Sequence, residues 1–382
     1  MCTASYCKRY SLFVRLSGSI LTSAWRLPTR PLDPCWFQTR PKITRPKFKF
    51  TKVLKMADNT TSGADLALTF RMACHGDYDS VMRMSEGIYE GKDYLPAFFH
   101  SFIDDPDVIV FLALVSDQVV GLRASKITES GTAFIVKAAR IAPDWRGQGI
   151  DRRLSLHQDQ WMRQNRPTVK YKRSTAFSLS QGVTESMKKK MRYIFSMPFI
   201  EYQSEPNLWW RQDPAQLAQL DTTGLPDVVP LQDADDDFCT AVQKWLPAGA
   251  CGTHDGKPVI LVDWDPFTLS PANLKYLQAQ NKIYVLKHEG EVSLSISNTY
   301  LSPSARMLCV QIYAKDLATV LKHLLTHLKD ASRTYHGDAI CTSVFVSQFE
   351  LEDAMHDFCR QTLQMDPVQP SKTQALAFEA VM

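Results

Sequence analysis

No run of about 18 uncharged apolar residues occurs anywhere in the 382 residues, so the sequence offers no membrane-spanning helix. The longest apolar stretches, such as Val108 to Val115, have the length of a strand. Nine cysteines are scattered without the paired spacing of a metal knuckle, and the only two close together are Cys2 and Cys7. Neither a zinc site nor a disulfide framework is indicated; free thiols in a reducing compartment are the expectation, with no metal. Acidic residues are nearly missing from residues 1–55, where Asp33 stands against twelve Lys or Arg. That segment carries +11 of a net +4, so the remainder carries −7, the wrong sign for a nucleic-acid-binding body.

What is present divides the chain. Residues 1–65 read as a disordered basic extension, since few of their apolar residues recur at regular spacing. Arg9, Arg15, Arg26 and Arg30 among Ser and Thr have the composition of a mitochondrial transit peptide, while Met56-Ala57-Asp58-Asn59 reads as an ordinary start of a cytosolic protein. A cytoplasmic location is the expectation, mitochondrial delivery the alternative.

From Leu66 the hydrophobic period alternates between two and 3.6. A strand over 66–72 is followed by a helix opened by Asp77 and by a second helix over 96–103. Strands over 108–115, 119–128 and 132–141, joined by Ser116-Asp117-Gln118 and Glu129-Ser130-Gly131, form an antiparallel meander, because links so short cannot carry a parallel crossover. A helix over 151–164, a strand over 169–174, a helix over 183–191 and a strand over 194–202 complete an α/β unit with a mixed sheet, assigned to 66–204. Residues 205–255 read as a connector whose acidic run Asp233-Ala234-Asp235-Asp236-Asp237 is a solvated face or a helix start. Residues 256–382 repeat the gross order, with a strand over 259–262, a helix over 271–279, a hairpin across Glu289-Gly290, a strand over 308–313 and a leucine-striped helix capped by Asp316. This second unit lacks a glycine turn between Tyr313 and its helix. His323 and His327, four apart on that helix, read as a polar margin of the leucine stripe, with no third ligand to make them a metal site.

The stretch Arg140-Ile141-Ala142-Pro143-Asp144-Trp145-Arg146-Gly147-Gln148-Gly149-Ile150-Asp151 carries the chemistry. A strand ends there, and a turn with two glycines runs straight into a helix. Glycines let main-chain N–H groups face a ligand, and a helix N-terminus adds partial positive charge, so a pyrophosphate would be held well with Arg146 alongside.

Through Arg146, Gly149 and the preceding Ala142-Pro143, this stretch resembles the pyrophosphate loop of the GNAT N-acetyltransferases. With Gly87-Ile88-Tyr89-Glu90-Gly91-Lys92-Asp93-Tyr94-Leu95-Pro96, it is similar more narrowly to the vertebrate histidine N-acetyltransferases. The resemblance implies a GNAT acyl-CoA N-acyltransferase fold followed by a second, degenerate GNAT-like domain without the loop. It implies acetyl-CoA as co-substrate and a small amino acid as acceptor, histidine giving N-acetylhistidine. The main chain of Ile141, Ala142 and Pro143 would meet the pantetheine arm, and Arg146, Gly147, Gln148, Gly149, Ile150 and Asp151 would cradle the phosphates. Tyr89, Asp93 and Tyr94 would contact the acceptor.

The sequence departs from the family pattern at three places. Asp151 sets a carboxylate near the phosphates, to be offset by Arg152 and Arg153. Lys137 stands where a glutamate base is common, and it reads either as a base, with Tyr94 the other catalytic candidate, or as an outward-facing lysine. Lys188 stands where a tyrosine acid is common, and Tyr193 reads as core. These departures keep open a catalytically weak binding or regulatory protein, and a peptide N-acetyltransferase, beside the amino-acid acetyltransferase.

Overall fold

The computed structural model describes residues 67–205, 207–246, 251–368 and 372–382. The expectations for residues 1–65 lie outside the described residues. The first half opens with β1 (Leu68–Met72), α1 (Tyr78–Met84) and α2 (Leu95–Asp104). The meander is β2 (Val108–Val115), β3 (Gln118–Thr128) and β4 (Ala133–Ile141). After it come α3 (Ile150–Asn165), β5 (Tyr171–Phe177), α4 (Gln181–Lys188) and β6 (Arg192–Ser204).

The stretch read as a connector contains α5 (Trp209–Gln212), α6 (Ala215–Gln219), β7 (Val229–Pro230), α7 (Asp236–Trp245) and β8 (Gly252–His254). Asp235 of the acidic run is the N-cap of α7, accepting from the Phe238 N–H at 2.7 Å, so the run is a helix start. The second half continues with β9 (Lys257–Val262), β10 (Asp265–Thr268), α8 (Pro271–Gln278), β11 (Lys282–His288), β12 (Glu291–Leu301) and β13 (Arg306–Tyr313). It ends with α9 (Leu317–Thr334), β14 (Ile340–Val346), α10 (Glu352–Asp357), β15 (Asp366–Pro367) and β16 (Gln374–Val381).

Among the described residues the strands form one 13-stranded sheet in the order β1-β2-β3-β4-β5-β16-β6-β14-β13-β12-β11-β7, with β15 beside β6; β8, β9 and β10 form a small separate sheet. The pairing is antiparallel except for β4 with β5 and β13 with β14. In the first half α1 and α2 cover one face and α3 the other, each through its own apolar cluster. Helices therefore flank both faces of a mixed sheet, the α/β layering expected from the sequence.

The halves meet by exchanging strands. The first part of β6 pairs with β16, whereas its second part, from Phe199, pairs with β14 and β15. Reciprocally, β15 pairs with β6 in the second half, and β16 crosses back to lie between β5 and β6. Each half thus lends the end of its last strand to the other. No helix among the described residues is long and apolar enough to cross a membrane.

Candidate active site

β4 and β5 pair only from Ala133↔Tyr171 to Ile135↔Arg173 and then part. At the parting point β4 carries a bulge: Val136 lies opposite Ser125 and Ala138 opposite Ala124, leaving Lys137 as the extra residue. Beyond it, one edge of β4 is bound to β3 while the other faces a cleft of about 1920 Å³. The Ala142 N–H bonds Val120 O at 2.9 Å, so the period of two turns the main chain of Ile141 toward the cleft.

The cleft runs from this splay to the start of α3. Gly147 and Gly149 both take left-handed φ, 79° and 75°, and a methyl group placed on either would touch nothing within 4 Å. Gly149 is the N-cap of α3 and supplies no side-chain cap; the first intrahelical bond runs from the Arg153 N–H to Gly149 O at 3.1 Å. The amides of Ile150, Asp151 and Arg152 are therefore the helix's orphan donors, opening on an exposed turn. Ile150 and Leu154 are buried and anchor the helix. Arg146 is exposed and folds back, donating from Nε to Ile141 O at 3.1 Å; Gln148 donates to Asp144 O at 3.1 Å. Pro143 offers no N–H, and its carbonyl accepts from the Arg146 N–H within a 3-10 turn, so Ile141 rather than Pro143 presents a main-chain edge. Ala142 is buried, its N–H bonded to β3.

The second half holds the splay open. The hairpin of β9 and β10 packs against both β4 and β5. The buried Arg173 of β5 donates to Pro266 O and pairs with Glu129 and Glu379, both at 2.9 Å. Glu129 in turn accepts from the Thr268 N–H and from Asn273, each at 2.9 Å. At the hairpin turn Trp264 packs on Phe199 and Phe345 of the exchanged strand and its neighbour, at centroid distances of 4.8 and 5.4 Å.

Lys137 meets this hairpin. Its ammonium pairs with the buried Asp265, whose charge and hydrogen bond outweigh burial and raise the lysine pKa; burial pushes Asp265 itself up to about 6. A lysine base needs the opposite shift, and the side chain points inward to its counter-ion rather than out to solvent. The other catalytic candidate, Tyr94, is largely enclosed and donates its hydroxyl to Lys137 O at 2.5 Å; burial raises it well above the ordinary phenol range.

Asp93 is buried. It accepts from Arg140 at 2.5 Å and from the Leu95 N–H at 3.0 Å in the turn that leads into α2. The ring of Tyr89, on a left-handed φ of 53°, is exposed beside the Arg140 guanidinium. Asp151 is paired at 3.0 Å with Arg123 of β3. Arg123 also donates to the buried Gln158 of α3. Lys188 is exposed and paired with Glu185, while Met187 and Lys190 line the cleft. Tyr193, expected in the core, is half exposed, with its hydroxyl donating to Ser196.

The sheet order, the bulged and splayed β4 and the glycine turn before α3 form a GNAT-like fold, the arrangement of an acyl-transferring enzyme, and the second half lacks that turn. Comparison with known proteins narrows the likeness. A family described as "Histidine N-acetyltransferase, C-terminal" matches residues 256–347. The chain is 25% identical over 332 residues to the histidine N-acetyltransferase of Oreochromis niloticus, covering 84% of this chain and 96% of that one. It is 27% identical over 317 residues to human "Probable N-acetyltransferase 16", covering 79% and 82%. The chain is thus an N-acetyltransferase similar to the histidine N-acetyltransferases.

Proposed function

We propose that the chain transfers the acetyl group of acetyl-CoA to the α-amine of a small free amino acid, with histidine as acceptor and N-acetylhistidine as product. The observation that carries this reading is the uncapped start of α3 at the foot of a splayed strand pair. Orphan amides at 150–152, freed by Gly147 and Gly149, suit a diphosphate, with Arg146 and Arg152 on the same wall of the cleft. The Arg123 contact to Asp151 moderates the carboxylate that would oppose phosphate there. The inward edge of β4 suits an amide-bearing arm laid alongside it. A small acceptor is favoured over a peptide because Tyr300, Asn298 and Trp264 of the second half wall the cleft beside Tyr94. The name shared by the relatives supports histidine. Cys309, Cys341 and Cys359, free and buried, fit a reducing compartment, and we assign the protein to the cytoplasm.

Thiol release from acetyl-CoA by the full chain, with a panel of free amino acids and a parallel panel of peptides, tests the reading. Turnover greatest with histidine is the expected result. Turnover with peptides alone would replace the acceptor class, and binding of acetyl-CoA without turnover would leave a binding protein.

A further inference from the structure

The carboxylates along the cleft are almost all committed to cations. Asp265 holds Lys137, Glu201 holds Lys92, Asp105 holds Lys126, Asp151 holds Arg123 and Asp159 holds Lys172. Glu90 lies exposed at the rim. Asp263 differs: among the described residues its hydrogen-bond partners are neutral, the Asn298 amide at 2.7 Å and the Cys309 thiol, which burial keeps protonated. It sits half-buried at the turn of the β9–β10 hairpin, two residues from the carboxylate that meets the β4 bulge, with its neighbour Trp264 clamped between Phe199 and Phe345. A fixed carboxylate with no cation of its own, facing the point where β4 and β5 part, is suited to an incoming ammonium.

Resting on the function proposed above, we infer that Asp263 receives the acceptor's ammonium and takes one proton from it before attack. The nitrogen lone pair so freed attacks the thioester carbonyl carbon; the C–N bond forms and the C–S electron pair leaves with sulfur. The second proton lost by nitrogen goes to that sulfur, and Asp263 releases its own to solvent. The groups facing Asp263 are Lys137 from β4, Asp265 of its own hairpin, Tyr300 and Asn298 from β12 and Cys309 from β13.

The test is Asp263→Asn in the full chain, since asparagine tolerates the left-handed φ of 47° at this position. The kcat/KM for histidine is expected to fall about 100-fold, the yield of a positioned base. Acetyl-CoA affinity by calorimetry is expected to stay within about twofold, and assay near pH 9.5, where solvent supplies free amine, is expected to restore most of the rate. Wild-type kcat/KM in the variant overturns the inference, and so does a loss that high pH fails to restore. If melting shows that variant misfolded, Asn298→Ala must lower kcat without raising the acetyl-CoA KM, and an unchanged kcat there overturns it. Wild-type protein that turns over no free amino acid overturns the functional reading and this inference together.

Discussion

The two halves share an order of elements and differ at the one place that matters for chemistry. In the first half β4 leaves β5 after Ile135, whereas in the second half β13 stays paired with β14 from Arg306↔Ile340 to Ile312↔Val346. The helix that follows differs in the same sense. α3 begins at a bare glycine, while α9 begins at Asp316, whose carboxylate accepts from the Thr319 N–H at 2.8 Å and the Thr319 hydroxyl at 2.7 Å. The second half has placed its own carboxylate where an anion would dock, and Gln348 donates to the Ala314 and Lys315 carbonyls at that turn. On the function proposed above, a closed strand pair and a capped helix leave the second half without a cofactor site, and it serves as a wall for its twin.

The largest effect that would break this comparison is loss of that wall. Arg173→Met leaves Glu129 and Glu379 without their buried cation and should destabilise the fold by about 3–5 kcal/mol, read as a fall in urea midpoint together with lost activity. Next in size is an acid response confined to the second half. His323 and His327 are buried residues of α9, bonded to Ser293 and Ser295 of β12, and burial lowers both pKa values to about 3 from 6.5. Because the unfolded chain takes up those protons first, stability present above pH 6.5 should be lost as pH falls below it, by up to about 1.4 kcal/mol per pH unit per histidine. Urea midpoints at pH 7.5 and 5.5 check this, and His323→Leu should flatten the slope.

Smaller again, Arg146→Glu should raise the acetyl-CoA KM about 10- to 100-fold, the value of a hydrogen bond to a charged group. Lys315→Glu, at the matching turn of the second half, should leave it unchanged; an equal rise in both would erase the distinction between the turns. The smallest effect is Asp316→Ala, which removes the α9 cap for about 1 kcal/mol in thermal stability and leaves acetyl-CoA binding intact.

Local physics made much of the fold legible in sequence. The meander, the α3 helix, the glycine turn and the Asp316 cap rest on periodicity and on residues a few positions apart, and the structure has them within a residue or two of the expected bounds. What could not be read depends on distant partners. Lys137 and Asp265 are 128 positions apart, Asp151 and Arg123 are 28 apart on different elements, and β10, with its turn at Asp263, follows β9 so closely that one apolar run hid two strands. Local patterning also overstated regularity. The helix expected over 183–191 ends at Lys188. Tyr89 and Glu90 lie in left-handed backbone that their residue types do not announce.

The exchanged strand ends interlock the chain topologically. β16 pairs with β5 some two hundred positions earlier, so the first half's sheet cannot be completed until β16 has been made. The cleft is thus assembled late, neither half can unzip without stripping an edge from the other, and denaturation should proceed as one cooperative event rather than as two domains melting in turn.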